Sequence, residues 1–166
     1  MKPARQATAE HVVDRAVVER YFDAFSARDT EAFAAFLHDD VRWTISGPVD
    51  VIPHCGVHLG KAAVIDVMAR RARNIFSARN IVREQFLVQG NHGAALSRLT
   101  ARLAADGRTI SYRVANFFRF QDGKLIENMS LMDSFDAAEQ VLGHNIDLAI
   151  DPDDAPPLAN GNVAVL

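Results

Sequence analysis

Residues 109–133 read TISYRVANFFRFQDGKLIENMSLMD, and this stretch decides the fold. Its apolar residues recur with a period of two on both sides of Gln121-Asp122-Gly123-Lys124, which predicts two long strands, 109–121 and 124–134, joined as a tight antiparallel hairpin. The same pattern extends upstream. Residues 79–89 and 94–104 alternate likewise, and Gly90-Asn91-His92-Gly93 and Ala105-Asp106-Gly107-Arg108 supply glycine-containing connections. Four strands in succession predict an antiparallel meander.

Before residue 79 the period is helical. Val13, Ala16, Val17, Tyr21, Ala24 and Phe25 predict an amphipathic helix from Thr8 to Ser26, with Thr8 as N-cap. Asp29 or Thr30 caps a second helix through Leu37, ended by Asp39 and Asp40, and Gly60 precedes a third from Lys61 to about Phe76. Val41 to Ser46 alternates as a strand before Gly47-Pro48, and Asp136 to Leu142 reads as a last short helix. Helices followed by a meander give an α+β class, with helices covering one face of a curved sheet.

The bulk composition narrows the function. A chain of 166 residues, 49% of them hydrophobic, supports one domain with its own core. Residues 1–146 are read as that domain, and 147–166, rich in Asp, Pro, Asn and Gly, as a tail. A net charge of −3 and no basic run argue against nucleic acid. No apolar run approaches roughly 18 residues, so no membrane span is expected. One cysteine allows no internal disulfide, and MKPARQATAEHVV has no signal-peptide core, so a cytoplasmic protein is expected.

The order of elements, together with RYFDAFSARDTEAFAAFLHDDVRW (20–43), HLGKAAV (58–64) and FFRFQDGKLIENMSLMD (117–133), resembles the nuclear-transport-factor-2-like superfamily. More narrowly the chain is similar to its SnoaL-like, ketosteroid-isomerase-related branch, from about Val12 to Gly143. That resemblance implies a cone of curved antiparallel sheet wrapped around three N-terminal helices, the cystatin-like α+β barrel, with a deep apolar pocket. It also implies a homodimer through the open sheet face.

The resemblance further matches the family's oxyanion-hole tyrosine to Tyr21 and its second oxyanion donor to Asn116. An amide donates a hydrogen bond at any pH, so Asn116 suits the role. The general base on the first strand is replaced by Ile45. The His and Asp of SnoaL-type cyclases are matched by Asn116 and Ser130, and the Asp-Arg-Asp of limonene epoxide hydrolases by Thr100, Arg98 and Ser130, so only the arginine survives. Strand parity adds Trp43, Tyr112, Val114, Phe118, Asn128 and Met132 to the pocket.

A replacement base is sought in PHCGVHLG, residues 53–60. His54, Cys55 and His58 lack a fourth ligand for a structural zinc, so no metal and no cofactor are expected. The stretch reads instead as a pocket rim, where His54 or His58 has the ordinary pKa of a proton carrier. Asp66 on the third helix is the other candidate. Asp133 reads as a helix cap rather than a site residue. The expected function is a cofactor-independent isomerase, lyase or cyclase acting on a small apolar carbonyl compound. The alternatives are a non-catalytic ligand-binding module, a structural dimerisation domain and, less favoured, an epoxide hydrolase.

Overall fold

A computed structural model describes residues 12–147. Helix α1 (Arg15–Ala27) starts where the Asp14 carboxylate accepts the Ala16 amide at 2.8 Å, a side-chain cap that sets the first turn. The N-cap is thus Asp14 rather than the expected Thr8, which lies outside the described residues. Asp29 caps α2 (Thr30–Ala35) through Ala32 at 3.0 Å. This helix ends two residues earlier than its apolar pattern suggests, because Leu37 already opens strand β1 (Leu37–Ile45). Asp39 and Asp40 lie inside that strand, where the register between β1 and β6 is irregular and both side chains reach solvent.

Strand β2 (Gly56–Leu59) pairs antiparallel with β1, Trp43 opposite His58, so half of the stretch read as a rim connection is an edge strand. Gly60, at φ 81°, turns the chain into α3 (Lys61–Asp66). A π-helical turn, Val67–Arg71, carries it into α4 (Ala72–Ile75), and together these form the third helix. The meander follows as β3 (Phe76–Gln89), β4 (His92–Leu103), β5 (Thr109–Gln121) and β6 (Lys124–Met132), close to the expected limits. Asp122 and Gly123 both have positive φ, 51° and 73°, as a type I′ hairpin requires. Asp133 caps α5 (Ser134–Leu142) by accepting from Asp136 at 3.1 Å, in line with its sequence reading.

The six strands form one curved, unclosed sheet in the order β2-β1-β6-β5-β4-β3. All neighbours are antiparallel except β1 and β6, which run parallel and bring the first helical segment's following strand against the last hairpin. The concave side holds an aromatic core: Tyr21 lies 4.9 to 6.3 Å, ring centre to ring centre, from Phe22, Phe33, Phe36 and Phe120. Gly93 lets Phe118 lie flat across β4, since a Cβ there would stand 2.4 Å from the ring. That packing closes one end of the cone and leaves the other end hollow. No helix among the described residues is long and apolar enough to cross a membrane.

Candidate functional site

The hollow end is a cavity with about 60 Å³ of room for the centres of water-sized spheres, set in a space of about 660 Å³ that includes solvent at its mouth. Its sheet wall follows strand alternation: Ser97 and Leu99 from β4, Tyr112, Val114 and Asn116 from β5, Ser130 and Met132 from β6, and Ile45 from β1. Phe22 and Phe25 of α1 form the floor, and Met68 and Ala72 enter from the π turn and α4. His54, Phe76, Arg79 and Ile81 complete it. The wall is mostly apolar, with polar groups gathered in two places.

The first polar group is a buried network. Trp43 Nε1 donates to Ser130 Oγ at 2.9 Å, and Asn128 Nδ2 donates to the same oxygen at 3.1 Å. Both acceptor sites of Ser130 are thereby used, so its hydroxyl hydrogen must go elsewhere, to Asn116 Oδ1 at 2.7 Å. Asn128 Nδ2 adds a longer bond to that amide oxygen, 3.3 Å. The Asn116 oxygen is therefore committed to the protein, and its N–H₂ is turned toward the cavity it lines. Trp43 through Ser130 thus locks a hydrogen-bond donor in place, the arrangement that stabilises charge developing on a carbonyl oxygen.

The second group is His54, Arg79 and Tyr112. Burial, and then the positive charge of Arg79, push the His54 imidazole down to about 4, so it is neutral near pH 7. Its Nδ1 is buried without a hydrogen-bond partner, and its ring meets Phe76 edge-on at 5.4 Å. Burial raises the Tyr112 phenol, which stays protonated and can donate. Arg79 reaches in from β3, donates Nη2 to the Phe25 carbonyl at 2.9 Å and lies 4.7 Å from the Phe25 ring centre. Among the described residues no Asp or Glu lines the cavity.

Of the residues picked from sequence, Ile45, His54, Tyr112, Val114, Asn116, Ser130 and Met132 converge on the cavity. Trp43 and Asn128 stand behind it, acting through Ser130. Phe118 faces the same way but is stacked into the closed end, 5.4 Å from Phe22. Tyr21 is shut in the aromatic core, 1% exposed and away from the cavity, with burial raising its phenol far above the usual range.

His58 and Cys55 also stand apart. His58 donates Nε2 to the His54 carbonyl at 3.0 Å. The Cys55 thiol, pushed up to about 11 by burial, lies against Gly47, where a Cβ would come within 2.6 Å of Sγ. These groups point to different neighbours, and no cluster of three metal-ligating side chains occurs among the described residues.

Arg98 is on the opposite side of β4, bound to Glu84 at 3.0 Å, because the cavity takes Ser97 and Leu99 and their neighbour must face outward. Asp66 is held outside by Arg70 and Arg71. Arg79, Ser97 and the helical contributors Phe22, Phe25, Met68 and Ala72 escaped the sequence reading. For Arg79 the one signal was its i, i+2 relation to Ile81 on β3.

A model of the SnoaL-like domain matches residues 18–128. A candidate isomerase from Rhodopseudomonas palustris is 32% identical, with a TM-score of 0.70 over 82% of this chain and 100% of its own. Two further structures share the fold at lower identity. A candidate SnoaL-like polyketide cyclase from Jannaschia sp. CCS1 is 17% identical, with a TM-score of 0.66 over 83% of this chain and 97% of its own. An NTF2-like protein from Burkholderia pseudomallei K96243 is 21% identical, with a TM-score of 0.69 over 76% and 95%. No curated protein matches the sequence.

Proposed function

The chain belongs to the SnoaL-like domain family, and on that footing we propose that it is a cofactor-independent isomerase, lyase or cyclase acting on a small, largely apolar carbonyl compound. The observation that carries the proposal is the locked Asn116 amide, whose free N–H₂ faces an apolar cavity that also holds a neutral imidazole. In this reading Asn116 takes the developing negative charge on the substrate oxygen, and His54 removes and returns the proton. Tyr112, rather than Tyr21, is the tyrosine placed to give a further hydrogen bond, since Tyr21 has no access to the cavity. His58 acts on His54 through the backbone, holding the carbonyl of the residue that carries the imidazole.

Proton transfer can be tested before a natural substrate is identified. Apolar ketones such as 2-tetralone, incubated with the protein in D₂O, should exchange hydrogen next to the carbonyl faster than in buffer, as followed by NMR. His54→Ala should remove the acceleration. Asn116→Ala should cut it by about 10²-fold or more, the effect of losing one oxyanion donor.

A specific observation favours a second reading, a non-catalytic ligand-binding module. An imidazole held at about 4 is a weak base, and among the described residues no carboxylate lines the cavity to replace it. Binding of the ketones with no exchange would select that reading. Epoxide hydrolysis has less support, because Arg98 faces outward.

A homodimer is part of the proposal. Phe117, Met129 and Leu131 leave an apolar strip on the convex face, 51%, 44% and 38% exposed, beside the Glu84 pairs with Arg98 and Arg113.

A further inference from the structure

Arg79 is a cation without an anion. Its Nη2 is used by the Phe25 carbonyl and its face by the Phe25 ring, but Nε is buried with no hydrogen-bond partner. Among the described residues no carboxylate pairs with it within 4.0 Å; Asp29, which lines the neighbouring hollow with it, is engaged as the cap of α2, and Glu84 and Asp66 are held by other arginines. Burial first, and then the positive charges of Arg28 and Arg73, lower the guanidinium to about 10 against an opposing effect of Tyr112. Arg79 is half-buried, and a charge partly withdrawn from water costs folding free energy unless something compensates it.

Stability alone does not account for such a side chain, because a methionine would fill the same space without the desolvation cost. Its chemistry does suggest a use. The guanidinium is a planar fork of donors whose geometry matches a carboxylate, and inside a low-dielectric wall that pairing is strong.

Position adds a second constraint. On β4, Arg79 pairs with Ala101 and Asn116 with Ala95, six residues apart, or about 20 Å of extended strand. The backbones that carry the cation and the locked amide are therefore well separated along the wall of one cavity, with Tyr112, opposite Leu99, between them.

We infer that the ligand is an apolar organic acid, bound with its carboxylate on Arg79 and its uncharged carbonyl end toward Asn116. This rests on the cavity being the ligand site, and it assigns the substrate class within that site.

Paired probes test it. Calorimetric titration of the full chain at pH 7.5 with 2-naphthoate and its neutral near-isostere 2-naphthamide, and with benzoate and benzamide, gives an acid-to-amide affinity ratio for each body. The wild type should favour the acid by about tenfold or more, the scale of one charge-assisted pairing. Arg79→Gln should bring the ratio to within about twofold while amide binding persists. Arg79→Lys, which keeps the charge and loses the fork, should retain a reduced preference and serves if the glutamine variant does not fold.

Amides bound as well as acids by the wild type would overturn the assignment and leave the cavity reading intact. A full acid preference surviving in Arg79→Gln, or undiminished in Arg79→Lys, would overturn it too. Failure of all four probes to bind would overturn both.

Discussion

Replacing His54 by leucine should remove a pH dependence of stability whose size follows from the site. In the folded chain the imidazole sits near 4, because burial and Arg79 oppose its charged form; in the unfolded chain it returns to 6.5. Above pH 6.5 neither state binds the proton, and the group contributes no slope. As pH falls below 6.5 the unfolded chain takes up a proton that the folded chain refuses, so stability decreases, and the decrease ends once pH passes below the folded value. With those two pKa values, the wild type should lose about 2 kcal/mol between pH 7 and pH 5 from His54 alone, and about 3 kcal/mol by pH 4.

Other groups titrate in the same window, but they are common to both proteins. Urea unfolding of wild type and His54→Leu at pH 7, 6, 5 and 4 therefore isolates the histidine as the change in their difference. Leucine has no titrating group and can fill the space against Phe76. A difference that stays constant across that range would refute the buried, neutral histidine and the proton chemistry built on it.

Three other outcomes follow from the packing. Ser130→Ala strands the Trp43 indole N–H and frees the Asn116 amide to turn, so it should cost about 2 to 3 kcal/mol, a fall of about 5 to 10 °C in Tm, together with weaker ligand binding; scanning calorimetry and titration read the two effects. Gly93→Ala drives a Cβ into the Phe118 ring and to 2.6 Å from the Leu87 carbonyl, and should destabilise by about 2 to 3 kcal/mol in urea melts. Met129→Glu on the convex strip should shift the mass measured by light scattering from dimer to monomer; an unchanged mass would exclude that face as the interface.

The fold was legible because its signals are local. The Asp122-Gly123 turn fixes a hairpin, hairpin periodicity fixes which residues share a face, and Asp133 caps the helix it precedes. The site was legible only as far as parity reaches. Parity put Asn116, Ser130 and Phe118 on one side of the sheet, and they are on one side. It says nothing about depth along the strand, and the Phe118 ring lying across Gly93 fills the end where a longer pocket was expected.

Tyr21 was misplaced for a related reason. Four aromatic rings pack around it in the buried core, and none of them is adjacent to it in sequence except Phe22. Arg98 was misplaced by one residue, which on a strand is the whole difference between inside and outside. Arg79 was missed because an arginine in an alternating strand is expected to face water; its contacts with the Phe25 carbonyl and ring of α1 draw it partly inside.

The π turn at Val67–Arg71 sets the phase of the third helix. It contains one residue more than a regular turn would, so the helix before it and the helix after it are offset by about 100° from a continuous α-helix. Val64 reaches the core on one side of this offset, while Met68 and Ala72 reach the cavity within and after it. Deleting a single residue here would restore an ordinary helix and rotate one of those two sets away from its partners. The cavity can therefore be reshaped in whole-residue steps, by indels in five positions, without touching any strand of the sheet.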